Sequence, residues 1–127
     1  MGTSPVFIAT PKQWQAALSA ANTNRDGTGT LVDVIPTPGS SGSRVDRVRV
    51  QAIVTTTAGV IRLYLYDGTN NYLLREILVT AVTPSTSLEA WSADVDLDGL
   101  ILPSGWKLRA STHNAEAFRI FARGGDF

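Results

Sequence analysis

The sequence predicts an all-β fold, an antiparallel β-sandwich of about eight strands. Apolar and polar residues alternate with a period of two along most of the chain. Clusters of Gly, Asp, Asn, Ser and Pro interrupt that alternation at short intervals, as turns between short strands do. The chain has 127 residues, 43 % of them hydrophobic. That is most simply one domain, able to bury roughly 65–70 % of its unfolded surface without metal or disulfide staples.

Residues 1–12, "MGTSPVFIATPK", are expected to form an N-terminal arm, since Pro5 and Pro11 disfavour regular structure there. Residues 13–127 then make the single sandwich domain. The segment "TPKQWQAALSAAN" fits two patterns. Thr10 stands three residues before Gln13 with Pro11 between, a helix-start signature, and Trp14, Ala17, Leu18 and Ala21 match helical spacing. Trp14, Ala16, Leu18 and Ala20 match a strand equally well, and the all-β surroundings favour the strand. "TLVDVI" is the next strand, followed by the loop "PTPGSSGS". In "RVDRVRVQAIVTTT", Val48, Val50, Ala52 and Val54 share one face, with Arg47, Arg49 and Gln51 on the other. "VIRLYLY" sets Ile61, Leu63 and Leu65 against Arg62, Tyr64 and Tyr66. "DGTNN" reads as a hairpin loop, because Asp, Gly and Asn tolerate positive φ, and "YLLREILVT" returns from it. "LEAWSADVDL" puts Trp91, Ala93, Val95 and Leu97 on one side. "GWKLRAST" alternates Trp106, Leu108 and Ala110 against Lys107 and Arg109, and "AFRIFAR" closes the set with Phe118, Ile120 and Ala122. Trp14, Trp91 and Trp106 all fall on apolar faces and are expected in the core.

Composition removes several classes of function. Eleven basic and eleven acidic residues give zero formal net charge, whereas a nucleic-acid binder usually carries a basic excess to displace phosphate counterions. Weak colloidal repulsion suits a protein held in an assembly. With no cysteine there is no disulfide scaffold, thiolate site or cysteine nucleophile. No apolar run approaches the ~18–20 residues of a membrane span. The N-terminus lacks a charged stretch followed by a long apolar one, so no signal peptide is expected, and Val6 stands where myristoylation wants Ser or Thr. Synthesis and folding in a cytoplasm follow as the expectation.

Candidate sites are few. Asp94, Asp96, Asp98 and Gly99 open like a calcium loop, but the twelfth position, which must supply a bidentate carboxylate, is Gly105. The acids read instead as the solvent face of a strand entering an Asp-Gly turn. His113 could be paired with Ser111 or Glu116 for catalysis, yet residues so close in sequence seldom converge, and a loop histidine capping backbone groups fits better. "TNRDGTGT" lacks the Lys-Ser/Thr of a phosphate-cradling loop and reads as a tight turn carrying Arg25 and Asp26. The terminal "GGDF" matches part of a cyclase signature by letters alone. Arg44, Arg47 and Arg49 form a basic stripe that Asp46 interrupts, an ordinary charged strand face. Tyr64 and Tyr66, opposite Leu63 and Leu65, are open to three readings: an interface anchor, a sugar platform, or side chains buried because both faces of their strand are covered. No catalytic, metal or cofactor residues are assigned. Arg47, Arg49, Arg62, Tyr64 and Tyr66 are the interface candidates.

Taken together, "ANTNRDGTGTLVDV", "GSRVDRVRVQAIVTTTAGVIRLYLYDG", "VTAVTPS", "LPSGWKLRASTHNAEAF" and "GGDF" give a chain that resembles small structural proteins of tailed phages and prophages over nearly its whole length. The resemblance implies a virion protein, and by size and fold the nearest analogy is to jelly-roll decoration, or cement, proteins on the outside of capsids. It implies a non-enzymatic protein made in the host cytoplasm and located in the virion. Its partner would be the major capsid protein or another virion protein, and it would itself be a dimer or trimer, with no cofactor, nucleic acid or membrane. Three alternatives remain: a tail, collar or baseplate protein, a carbohydrate-binding module stacking sugars on Tyr64, Tyr66 or Tyr72, and a hydrolase around His113 and Glu116.

Overall fold

Alternation leaves one side of each strand apolar, and such strands are stable only when those sides are packed together. The computed structural model, which describes residues 8–127, does this with eight strands. These are β1 (Thr10–Leu18), β2 (Val32–Ile35), β3 (Ser43–Ala52), β4 (Gly59–Tyr66), β5 (Asn71–Val79), β6 (Ser92–Leu102), β7 (Lys107–Thr112) and β8 (Phe118–Asp126). They form two four-stranded antiparallel sheets, ordered β1-β8-β3-β6 and β2-β7-β4-β5. Every connection passes from one sheet to the other except the β4–β5 hairpin. In its loop the Asp67 carboxylate accepts bonds from the amides of Thr69 at 2.9 Å and Asn70 at 2.8 Å.

The core lies between the sheets. Val48, Val50, Val95, Ile120 and Ala122 come from the first and meet Val34, Ile61, Leu63, Leu108 and Ala110 of the second. Full burial of a side chain such as Leu or Ile contributes about 1.5–3 kcal/mol. Trp91 and Phe118 pack edge to face, with ring centroids 5.9 Å apart. Trp14 and Trp106 are only half-buried and rest against the margin of this cluster.

The ambiguous N-terminal segment is a strand, and it begins earlier than expected. Thr10, Pro11 and Lys12, placed in an arm by the sequence reading, pair with Asp126, Gly125 and Gly124. Pro11 is tolerated because β1 is an edge strand, where a missing N–H leaves no ladder bond unmade. Lys12 Nζ also lies 3.3 Å from the Asp126 carboxylate. Residues 1–7, the rest of the expected arm, lie outside the described residues.

Two further expectations need correction. Val54 is exposed rather than inward, because β3 ends at Ala52 and the Ile53 amide turns to the Ala117 carbonyl at 3.0 Å. Asp98-Gly99 is not a turn that ends a strand. β6 runs through it to Leu102, and between the pairs Val45↔Leu100 and Arg47↔Asp96 the strand carries extra residues. Asp98 and Gly99 there take φ of 54° and 73°, values that short polar residues and glycine adopt readily. Against β8 the register shifts at the same point of β3, but there β3 carries the extra residue, Asp46. A Cβ on Gly124 would run into the Arg44 carbonyl oxygen, so the "GGD" letters record a close backbone approach.

A candidate interaction surface on three sides of the sandwich

The face of the second sheet that points away from the core carries Arg62, Tyr64 and Tyr66, and the chain covers it. The β1–β2 connection crosses this face, held by its own side chains. Asn22 Nδ2 donates to the carbonyls of Thr28 at 3.0 Å and Thr30 at 2.8 Å, and Asp26 accepts from the Thr28 amide at 3.1 Å. Gly27 has a φ of 88°, and a Cβ there would lie 2.7 Å from the Asn71 carbonyl oxygen of β5. The "TNRDGTGT" turn is therefore a cover for a sheet.

Beneath it Arg62 is only 2 % exposed. Its Nε donates to Glu76 at 3.0 Å and its Nη1 to the Asn22 carbonyl at 3.1 Å, while Nη2 lies 3.3 Å from His113 Nδ1. Glu76 also takes Arg25 Nε at 2.8 Å. That hydrogen bond, followed by the one from Arg62, holds its carboxyl below the usual range against the cost of desolvation. Tyr64 is fully buried and its hydroxyl donates to the Asn24 carbonyl at 2.9 Å. Burial pushes its phenol above the ordinary 10.0, with the Arg62 charge pulling the other way. Tyr66 is half-buried under Arg109, whose guanidinium carbon stands 3.9 Å from the ring centroid. Arg109 is held in turn by Asp33 at 2.8 Å and Asn71 at 3.1 Å.

Arg62 and Tyr64 thus leave the set of interface candidates. Alternation identified their side of the strand correctly, but a loop of the same chain occupies it. The sugar-platform reading loses Tyr64 for the same reason. Among the described residues no hydrogen bond joins His113 to Ser111 or Glu116: His113 faces Arg62, and Glu116 accepts from the Thr57 amide at 2.9 Å and its hydroxyl at 2.8 Å. The aspartates do not converge either. Asp94 pairs with Arg49 at 2.9 Å, Asp96 accepts from the Asp98 amide at 2.8 Å, and no group of three potential metal ligands occurs among the described residues.

The outer face of the first sheet is different. Register places Arg47 opposite Arg123, Arg49 opposite Phe121 and Gln51 opposite Arg119, with Asp96 and Asp94 on the far side of Arg47 and Arg49. Arg47, Arg119 and Arg123 are exposed, and Arg49 and Phe121 are half-buried. Two of the expected candidates, Arg47 and Arg49, therefore lie on this outer face. Arg119, Phe121 and Arg123 were missed, although the alternation of "AFRIFAR" already put them outward. What was missing was the register that sets β8 beside β3.

The third side is the edge at β5. Edge strands present unpaired N–H and C=O groups and are normally shielded by charge, proline or a covering element. β5 instead exposes Tyr72, Leu73, Leu74 and Leu78, at 37 % to 69 %. β6, the edge strand of the other sheet, exposes Ile101.

Fold and surface together define an antiparallel β-sandwich with one covered outer face, one cationic face and one apolar edge. No protein-family model matches the chain, and no curated protein matches it. Among solved structures it is similar to a pentameric capsid protein isolated from metagenomic phage sequences, with 18 % identity and a TM-score of 0.42. The match takes in 89 % of this chain, which spans 61 % of that protein's length.

Proposed function

We propose that this chain is a non-enzymatic structural protein of a tailed-phage virion, a jelly-roll decoration protein that binds the outer shell and stabilises it. The observation that carries the reading is the β5 edge: nine residues long, with four large apolar side chains in solvent. A strand of that kind invites pairing and is a liability in a free monomer. In an assembly it becomes a seam. The strand order supports the jelly-roll part, since nested pairs β1-β8, β3-β6, β2-β7 and β4-β5 divide eight strands between two sheets. The resemblance of the sequence to small phage structural proteins supports the virion.

A protein that binds only the assembled lattice stabilises it by mass action, and many weakly held copies act with avidity. On this reading the partner is the major capsid protein, the chain associates as a dimer or trimer, and Arg47 and Arg49 contribute contacts alongside β5. A place at the collar or baseplate needs the same kind of domain and differs in copy number. The test of the carrying observation is Leu78→Lys, which puts a charge at the most exposed apolar position of the edge. Sedimentation and binding to shells stripped of this chain should both weaken while the thermal unfolding profile stays cooperative. Unchanged association and shell binding would remove the edge from the interface.

A further inference from the structure

The charges of this protein are distributed unevenly between paired and unpaired. Of eleven basic residues, Lys12, Arg25, Arg44, Arg49, Arg62, Lys107 and Arg109 stand within ion-pair distance of a carboxylate. Arg75, Arg47, Arg119 and Arg123 do not, among the described residues. Arg75 donates to the Asp96 carbonyl at 3.5 Å. The other three all lie on the outer face of the first sheet, around Phe121. Residues 1–7, "MGTSPVF", carry no carboxylate that could neutralise them.

Arg47 and Arg123 are moreover direct cross-strand neighbours, and like charges directly opposite are destabilising. A face that maintains such a pair costs the monomer stability, and the cost is offset when a partner supplies the anions. Resting on the reading that this chain docks onto other proteins, we propose that the outer face of the first sheet takes a carboxylate-rich polypeptide surface, with Phe121 as the apolar centre and Arg47, Arg119 and Arg123 as its anion-binding rim. Arginine and aromatic side chains together are the composition of strongly contributing interface centres.

The same geometry argues for carboxylates over phosphates. The arginines extend along β8 for about 13 Å, by the strand rise per residue. Beyond them on one side stand Asp94 and Asp96 of β6, and on the other the uncharged Gln13, Gln15 and Ala17 of β1. A nucleic-acid backbone passing over this face would run onto those aspartates, and a chain of zero net charge supplies no wider field to hold it. A bounded acidic patch on a protein meets only the arginines.

The test is titration of the full ¹⁵N-labelled chain with a twenty-residue polyglutamate peptide at low ionic strength, followed by amide chemical shifts. A twenty-base-pair DNA duplex is titrated in parallel. The expected result is salt-sensitive shifts confined to the outer positions of β3 and β8. Arg47→Gln/Arg123→Gln should weaken binding by about tenfold, the equivalent of one charge-assisted contact, and Arg75→Gln should leave it unchanged. Thermal unfolding of the double variant at or above that of the parent shows that the loss is not a folding defect. Shifts scattered over the molecule, or equal losses in the Arg75 variant, would overturn the proposal. So would tighter binding of DNA to the same amides. Because the titration needs no virion, it separates from the shell reading: confined shifts with no copies in particles would keep the face and remove the location.

Discussion

Tyr64 provides a quantitative check on the covered face. Its side chain is fully buried and its hydroxyl donates to Asn24 of the covering loop. Tyr64→Phe removes only that bond and leaves a carbonyl acceptor without its partner, a loss of about 1 kcal/mol. Tyr64→Ser removes the ring as well, and by comparison with aromatic-to-alanine changes in cores it should cost about 3–5 kcal/mol. That is a large share of the roughly 5–15 kcal/mol that holds such a domain folded. With a urea m-value of about 2 kcal/mol/M, the midpoint should fall by about 0.5 M for Phe and about 2 M for Ser. Tryptophan fluorescence follows the transition, since Trp91 lies in the core. Tyr66→Ser is the matched control: its ring is half-buried and its stacking on Arg109 is worth about 0.5–1 kcal/mol. A Tyr64→Ser variant no less stable than Tyr66→Ser would refute the reasoning, because the β1–β2 connection would then not seal that face.

Arg123→Glu converts the Arg47–Arg123 neighbours into an opposite-charge pair and should raise stability by about 0.2–1 kcal/mol, visible as a higher urea midpoint, while it weakens polyglutamate binding. Glu76, Asp126 and Asp26 are held below the ordinary carboxylate range, each first by a side-chain hydrogen bond, from Arg25, Ser43 and Thr28 respectively. A depressed carboxylate stabilises the fold above its unfolded pKa and loses that contribution as pH falls through its folded one. Stability measured by urea titration should therefore decline below the ordinary carboxylate range, and Glu76→Gln should make the decline shallower. Gly124→Ala should destabilise by about 1–3 kcal/mol through collision with the Arg44 carbonyl, read as a lower thermal midpoint than that of Gly68→Ala. Gly68 has open space around it but a φ of 98°, so that control reports backbone strain alone.

The strands were legible because burial on one side forces a period of two, and that pattern survives any arrangement of sheets. β3, β4 and β8 could be read this way almost residue by residue. Their ends were less legible, since the last pair depends on what the neighbouring strand offers. Val54 left the sheet where the Ala117 carbonyl replaced a strand partner, and Asp98-Gly99 continued as a bulge because β3 still lay alongside. The outer faces were legible in composition and illegible in consequence. Alternation put Arg62 and Tyr64 outward just as it put Arg47 and Arg49 outward. Only the path of the β1–β2 connection separates the two pairs, one under a loop and the other on an uncovered face. Arg119 and Arg123 join Arg47 only through a register formed between strands far apart in the chain.

We have proposed that this protein forms part of a virion shell. The most direct measurement is its copy number relative to the major shell protein in purified source particles, by quantitative mass spectrometry. A ratio near one, or a simple fraction amounting to hundreds of copies per particle, is the predicted result. A few to a few dozen copies would contradict the shell position and place the protein at the tail or neck, and its complete absence would contradict the virion reading itself.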